Sequence, residues 1–308
     1  MKLMERRYRC ANGVVERTRF FVGDNTVIFR GRKRVGKERK QEQNLQSCIR
    51  KVARILNCNY NHDNGLLLTL DLHEGGLEKL LGKLGEEQRA VLSSLRNPVG
   101  EIGTWQAVGK RKLKRRDTGT EAKEEQGKAT EEAMNALREA MDHELTLWLR
   151  RIKRKHEGKI KALMVVSDMD HETGELVRCH CHAVLAAEGI SWDLLRQEWK
   201  LGSVDIRQLR KQPDYTPIAV YLMKQVRRQP EKKKYRVTQG MEMPVVEERI
   251  ITGHSEIRVP PGAYVLERSE FHTDSVGQYI RYIPGKKGRR KQDRKEDDRD
   301  EVQEDTGH

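Results

Sequence analysis

The chain has 308 residues and a formal net charge of +14, because 61 Lys and Arg residues outnumber 47 Asp and Glu residues. No apolar stretch approaches the roughly 18 residues that a membrane-spanning helix needs, so a transmembrane segment is excluded. Five cysteines are too few for a disulfide scaffold, and the polar start of the chain does not resemble a signal segment. These features predict a reduced, cytoplasmic protein whose positive charge favours a polyanionic partner, most often nucleic acid.

The charge is distributed unevenly along the chain. Residues 285–308 hold as many basic as acidic residues and a single aliphatic residue, Val302, so we predict a disordered charged tail. A second charged segment near residues 107–130 predicts a flexible basic insertion. Its basic residues are either solvated linker residues or contacts to DNA phosphates; they are Lys110, Arg111, Lys112, Lys114, Arg115 and Arg116.

The first half of the chain alternates between strand and helix patterns. Residues 1–41 form a small N-terminal segment, in which apolar pairs between Val14 and Arg30 predict short strands. Beyond it, apolar residues recur every three or four positions wherever a helix is expected. The pattern predicts a helix over 41–56, a buried strand over 66–72, a helix over 77–95 and a long helix over 130–156.

The second half of the chain predicts a hairpin followed by three further elements. Two apolar strands, 162–168 and 176–187, are joined by a polar turn and must therefore be antiparallel. After them the pattern predicts a helix over 192–199, a strand over 203–209, and a helix from Thr216 to about Arg228. We therefore predict an α+β fold, with a central antiparallel β-sheet flanked by helices, and a catalytic domain over residues 42–230.

The most informative stretch is the strand that contains two histidines. Side chains alternate between the faces of a strand, so His180 and His182 share one face while Cys179 and Cys181 share the other. The thiols and imidazoles therefore cannot close a single zinc tetrahedron. The cysteines are interpreted as small core residues, and the histidine pair as the candidate ligands of one divalent ion.

A metal site built on this pair needs a further ligand from a neighbouring strand. Asp168 ends the partner strand of the hairpin and is the preferred third ligand, while Asp170 and Asp71 are the alternatives. Imidazole and carboxylate ligands with open positions suit Mg²⁺ or Mn²⁺ bound together with phosphate oxygens.

The last predicted helix supplies a candidate nucleophile. Tyr221 and Lys224 are three residues apart and share a helix face, with Arg228 one turn further along. A phenol can attack a phosphate that a metal polarises, and a nearby cation favours the phenolate and balances the transition-state charge.

These stretches together resemble the HUH endonucleases, and within them the rolling-circle replication initiators of small phages, plasmids and integrative elements. The motifs occur in the family's order: Leu67–Asp71, then His180-Cys181-His182, then Tyr221–Lys224. The tract Trp199–Asp205 is also similar to the Trp…Gly segment of microvirus-like replication proteins. The resemblance extends over roughly residues 48–228 and implies an RRM-like core.

The resemblance implies a nickase that cuts single-stranded origin DNA, remains joined to the 5′ phosphate through a tyrosine, and then transfers or ligates the strand. Tyr221 would be the nucleophile, since Tyr215 precedes the helix. His180, His182 and Asp168 would be the metal ligands, and Lys224 would position phosphate or metal-bound water. Arg228 and the basic insertion would contact DNA.

The sequence has no Gly-x-x-x-x-Gly-Lys-[Ser/Thr] motif, so a fused helicase is not expected. The resemblance therefore implies that a host helicase and polymerase act with the protein in a bacterial cytoplasm. Residues 231–284 form a β-rich C-terminal extension with either a DNA-contacting or a structural role. Tyr235 and Tyr279 are its candidate base-stacking residues.

Three alternatives to the replication nickase remain open on the sequence. The first is a DNA-binding regulator without catalytic activity, which would bind with a steep salt dependence. The second is a zinc-stabilised binding module that uses the Cys/His tract. The third is a relaxase or transposase with the same HUH chemistry.

Overall fold

The computed structural model describes residues 2–22, 36–95, 120–170, 176–226, 234–252, 256–272 and 276–285. The basic cluster of residues 110–116, Arg228 and nearly all of the predicted charged tail lie outside these ranges, so their predicted roles stay predictions. None of the helices in the described ranges combines the length and the apolar character needed to cross a bilayer.

The described residues form ten strands and six helices. The strands are β1 (Lys2–Arg9), β2 (Val15–Val22), β3 (Gly65–Leu70), β4 (Lys161–Met169), β5 (Leu176–Ala186), β6 (Val204–Gln208), β7 (Arg236–Val237), β8 (Val245–Ile251), β9 (Tyr264–His272) and β10 (Val276–Ile283). The helices are α1 (Lys37–Asn59), α2 (Glu74–Leu81), α3 (Glu86–Leu95), α4 (Thr120–Lys155), α5 (Trp192–Glu198) and α6 (Thr216–Lys224). The predicted α+β class is confirmed.

The strands form two antiparallel sheets. The first sheet has the order β8-β1-β2-β10-β9, and the second has the order β6-β3-β5-β4-β7. The first sheet joins the N-terminal segment to the C-terminal extension, which the sequence pattern had placed in separate units. The second sheet contains the histidine strand and is the central sheet predicted from the hairpin.

Helices cover both faces of the second sheet. Alternate residues of β3, β4 and β5 pack against α2, α3, α4 and α5 in the larger core, which is centred on Trp148, Met141 and Leu68. The opposite residues pack against α1 and α6 in a smaller core that includes Leu163, Val165 and Val184. We call these surfaces the α4 face and the α6 face.

The element bounds differ from the sequence pattern in three places. The helix α4 begins at Thr120, so the end of the predicted flexible insertion is helical. The helical pattern over 77–95 divides into α2 and α3, because the chain between them carries Gly82 and Gly85. The strand β1 has no apolar alternation, and it forms through pairing with β2 and β8.

Arginine side chains of α1 contact the first sheet, beside a small apolar cluster that includes Cys58 of α1. Arg54 lies over the ring of Tyr8 at 3.5 Å and forms an ion pair with Glu16, and Arg50 lies over the ring of Tyr279 at 3.8 Å. Tyr279 is 1% exposed, so it is a core residue and not a base-stacking residue. Tyr235 is half-buried against the core of the α6 face.

Candidate active site

The two histidines lie on the α6 face of β5, between β3 and β4. In the strand register, His182 lies opposite Thr69 of β3 and opposite Val165 of β4, while His180 lies opposite Ser167 of β4. The pair therefore sits on a central strand of the sheet, in the position that the alternation of side chains predicted.

The imidazoles face each other through their Nε2 atoms, which are 3.1 Å apart. Their rings are nearly perpendicular, at 89°, with centroids separated by 4.8 Å. His180 is half-buried and His182 is 3% exposed, so solvent reaches only the first of the two rings to any extent.

The Nδ1 atoms of both rings contact oxygen atoms. His180 Nδ1 lies 3.0 Å from the carbonyl oxygen of Arg178, and because a carbonyl can only accept, this nitrogen carries the ring proton. His180 Nε2 in the neutral ring therefore presents a lone pair towards His182. His182 Nδ1 lies 3.2 Å from the Thr69 hydroxyl, which can donate to this nitrogen or accept from it, depending on the tautomer.

A glutamine that the sequence did not single out completes the cluster. Gln225 follows α6, and its Oε1 atom lies 3.0 Å from His182 Nε2. Its backbone carbonyl accepts a hydrogen bond from Asp168 N at 3.3 Å, which ties the end of α6 to the end of β4. The sequence signal that could have identified Gln225 is its position four residues after Tyr221, which places both side chains on the same helix face.

The candidate nucleophile lies beside the pair. The Tyr221 hydroxyl is 3.4 Å from His182 Nε2, and the two rings are 5.1 Å apart at their centroids. Tyr221 is 38% exposed, so a large substrate can reach it. Lys224 lies in the last turn of the same helix and is exposed.

Three polar atoms therefore converge on His182 Nε2: His180 Nε2, Gln225 Oε1 and the Tyr221 hydroxyl. The Gln225 amide oxygen can only accept, so in the neutral, metal-free ring Nε2 carries the proton of His182, and this single N–H faces three polar atoms. Burial and the neighbouring His180 lower the pKa of His182 to about 4, against the opposing effect of the Gln225 hydrogen bond. The ring is therefore neutral at physiological pH, as a metal ligand requires.

Ser167 adds an unpartnered polar atom to the same face. Its hydroxyl is fully buried and has no hydrogen-bond partner among the described residues. Buried hydroxyls are normally satisfied, and this one lies in register with His180.

Asp168 does not lie where the sequence had placed it. It sits at an irregularity of β4, between Ser167 and Met169, and its fully buried carboxylate lies 3.8 Å from Arg138 of α4. Among the described residues, no group of three His, Cys, Asp or Glu side chains is arranged to hold a metal ion. The structure therefore brings the histidines together with Gln225, while the Asp168 carboxylate faces Arg138 and the Asp71 side chain is exposed. The role of Asp170 stays a prediction.

The cysteines between the histidines belong to the opposite face, as predicted. Cys179 and Cys181 are fully buried in the core of the α4 face. Burial raises the pKa of the Cys181 thiol well above its usual range, so this thiol stays protonated, whereas a zinc ligand is a thiolate. The arrangement does not fit a zinc site built from the Cys/His tract.

The Trp…Gly tract packs against the end of β3. Trp199 Nε1 donates to the carbonyl oxygen of Asp71 at 2.8 Å, and His73 N donates to the carbonyl oxygen of Leu201 at 3.0 Å. A Cβ atom on Gly202 would lie 1.9 Å from the Asp71 carbonyl oxygen, so only glycine fits there. The tract therefore has a structural role, because it fixes the chain that follows β3. The Asp71 side chain is exposed.

Helix α6 is anchored at its beginning as well as at its end. Asp214 Oδ1 accepts hydrogen bonds from Thr216 N and Oγ1 and from Asn57 of α1, at 3.1, 2.8 and 2.9 Å. Asp214 also forms an ion pair with Arg281 of the first sheet, at 3.4 Å. The position of Tyr221 thus depends on contacts from both sheets.

Comparison of the chain with protein-family models, with curated proteins and with solved structures finds no match.

Proposed function

We propose that the protein is a metal-dependent nickase of the HUH type that initiates rolling-circle replication by cutting single-stranded origin DNA with Tyr221. The observation that carries the proposal is the convergence of His180, Gln225 and Tyr221 on His182 Nε2. The chain order of β3 to β6 and their order in the sheet also suit the RRM-like core implied by the resemblance.

The donor set fits a divalent cation. The Nε2 atoms of His180 and His182 and the Oε1 atom of Gln225 are the proposed ligands, so Gln225 takes the role that the sequence gave to Asp168. Two imidazoles favour Mn²⁺ over Mg²⁺, because Mg²⁺ prefers oxygen ligands.

A bound divalent cation would polarise the scissile phosphate and neutralise charge that develops on its oxygens. The phenol oxygen of Tyr221 forms the new bond to phosphorus, and the bond from phosphorus to the 3′ oxygen breaks. The phenol proton leaves with the released 3′-hydroxyl. Because one phosphodiester replaces another, the phosphotyrosine can be attacked by a 3′-hydroxyl to ligate the strand.

The remaining residues of the site position this reaction. With a metal on their Nε2 atoms, both imidazoles would carry their protons on Nδ1, where Thr69 and the Arg178 carbonyl are placed to accept them and to orient the rings. Lys224 is exposed on the same helix as Tyr221 and supplies positive charge for the phosphate. The net charge of +14 suits a single-stranded DNA substrate.

The test is cleavage of single-stranded DNA from the replicon that encodes the chain. We expect the wild-type protein with Mn²⁺ to nick this DNA and to form a covalent protein–DNA adduct. Tyr221→Phe removes the nucleophilic oxygen and should abolish the adduct. Tyr215→Phe is the matched control, because Tyr215 is 2% exposed and precedes the helix, and this variant should keep the adduct.

A wild-type protein that binds this DNA without Mn²⁺-dependent cleavage would be a DNA-binding regulator, and the proposal would fail. Adduct formation by Tyr221→Phe would equally contradict it. Cleavage confined to a transfer or insertion junction would assign the same chemistry to a relaxase or transposase.

A further inference from the structure

The strand β8 is an edge strand of the first sheet with an unusually exposed surface. It pairs with β1 on one side, and its other side has no strand neighbour among the described residues. Every residue from Val245 to Ile250 is exposed, including Val245 at 63%, Val246 at 49% and Ile250 at 60%. Exposed apolar edge strands are templates for pairing with another chain.

The sequence of β8 is self-complementary when two copies pair antiparallel about Glu248. In this register Val246 lies opposite Ile250 of the second copy, and Val245 lies opposite Ile251. Glu247 lies opposite Arg249, so each copy contributes one opposite-charge pair. Moving the register by one residue in either direction places Glu247 opposite Glu248 or opposite Ile250.

The charges already present on β1 favour the same register. Within one chain, Arg7 and Arg9 contact Glu247, and Arg249 contacts Glu5. When two copies pair about Glu248, Arg7 and Glu247 of one copy therefore lie in line with Arg249 and Glu5 of the second copy. The charges along this row alternate in sign across the interface.

The one unfavourable contact is Glu248 against its own copy at the two-fold axis. Each Glu248 forms an ion pair with Arg6 of β1, which reduces the repulsion. The apolar and opposite-charge pairs on both sides of the axis oppose the remaining cost.

We propose that β8 is a homodimerisation surface, through which two copies of this chain join their first sheets into one continuous antiparallel sheet. The interface is isologous, so it closes at two copies. The proposal does not depend on the function of the histidine site, because β8 belongs to the other sheet.

The first test measures the association state by sedimentation velocity over a range of protein concentrations. We expect the wild-type chain to be a dimer, and Val246→Lys to weaken dimerisation at least about tenfold, because it places a cation in both apolar rows. Tyr264→Lys is the matched control, since Tyr264 is 68% exposed on β9, the opposite edge of the sheet. This variant should remain a dimer.

The second test measures the register by disulfide formation under mild oxidation. Residues directly opposite each other in an antiparallel pair have Cα atoms about 5 Å apart, within the range of a disulfide. Glu248→Cys should therefore form a covalent dimer. Glu247→Cys and Arg249→Cys should cross-link only when the two variants are mixed, because residue 247 of one copy lies opposite residue 249 of the other. The wild-type chain, with its native cysteines, measures background cross-linking.

A wild-type chain that is monomeric at every concentration would overturn the proposal. A dimer that Val246→Lys leaves intact would also overturn it, and so would Glu248→Cys failing to cross-link. Circular dichroism of each variant establishes that it is folded before its association is measured.

Discussion

Gln225 Oε1 lies 3.0 Å from His182 Nε2, although the two residues are on different elements and 43 positions apart in the chain. The contact exists because the end of α6 is tied to the end of β4 through the hydrogen bond from Asp168 N to the Gln225 carbonyl. Asp168, predicted as a ligand through its side chain, instead positions the proposed ligand through its backbone.

The Mn²⁺ affinities of variants at Gln225 and Asp168 distinguish which of the two residues is the third metal ligand. We expect Gln225→Ala to weaken Mn²⁺ binding at least about tenfold, because the loss of a ligand costs no less than the loss of an outer partner. Gln225→Glu should bind Mn²⁺ at least as tightly as the wild type, because it keeps the oxygen and adds negative charge. Isothermal titration calorimetry measures both affinities.

Asp168→Asn is the control for this comparison, because it keeps the shape of the side chain beside Arg138. We expect this variant to bind Mn²⁺ with unchanged affinity. The reverse pattern, with a large loss in Asp168→Asn and none in Gln225→Ala, would restore the assignment made from the sequence.

Thr69 is expected to act through His182 as a positioning residue. Thr69→Val keeps the volume but removes the oxygen that accepts from His182 Nδ1, so we expect Mn²⁺ affinity to fall about 10- to 100-fold. Thr69→Ser retains the hydroxyl and should bind Mn²⁺ nearly as well as the wild type. Equal losses in both variants would indicate a packing role instead.

Glu5 should make the stability of the protein dependent on acid pH. Burial opposes its ionisation, but Arg17 and Arg19, at 2.7 and 2.6 Å, outweigh this effect and lower the pKa of Glu5. A lowered folded-state pKa gives stability that is present above the unfolded value of about 4.3 and is lost as the pH falls through the folded value. Glu5→Gln should remove about 3 kcal/mol or more at neutral pH, because it leaves buried arginines without their carboxylate.

Glu256→Gln is the matched control for Glu5→Gln, because it breaks an exposed ion pair with Arg268 of the same sheet, away from β8. We expect a loss of less than about 1 kcal/mol. Urea denaturation at pH 7 and at pH 3 measures both variants. A Glu5→Gln variant with the same stability as Glu256→Gln at pH 7 would contradict this interpretation.

The parts of the molecule that follow from local patterns could be predicted from the sequence. The hairpin of β4 and β5, the helices α1 and α5, and the separation of His180 and His182 from the cysteines all follow from periodicity alone. Tyr221 was proposed as the nucleophile because its helix and the histidine strand resemble HUH endonuclease motifs and occur in the same order.

The remaining features depend on contacts between distant segments. The approach of Gln225 to His182 depends on the contact between the end of α6 and the end of β4, which no local pattern encodes. The side of Asp168 was predictable, because Asp168 alternates with Ser167, the residue opposite His180, and therefore faces Arg138 of α4. The strand β1 is rich in charge and forms because its charged residues pair with β2 and β8. Glu5 is buried for the same reason, since the arginines that stabilise it come from other strands.

In the proposed reaction, the Tyr221 oxygen becomes bonded to DNA. The most direct measurement is mass spectrometry of the nucleotide-linked peptide, after reaction with single-stranded replicon DNA and Mn²⁺ and digestion of both components. We expect one modified peptide, carrying a 5′-phosphate-linked nucleotide on Tyr221. A nucleotide on another residue such as Tyr215, or cleaved DNA without any modified tyrosine, would contradict it.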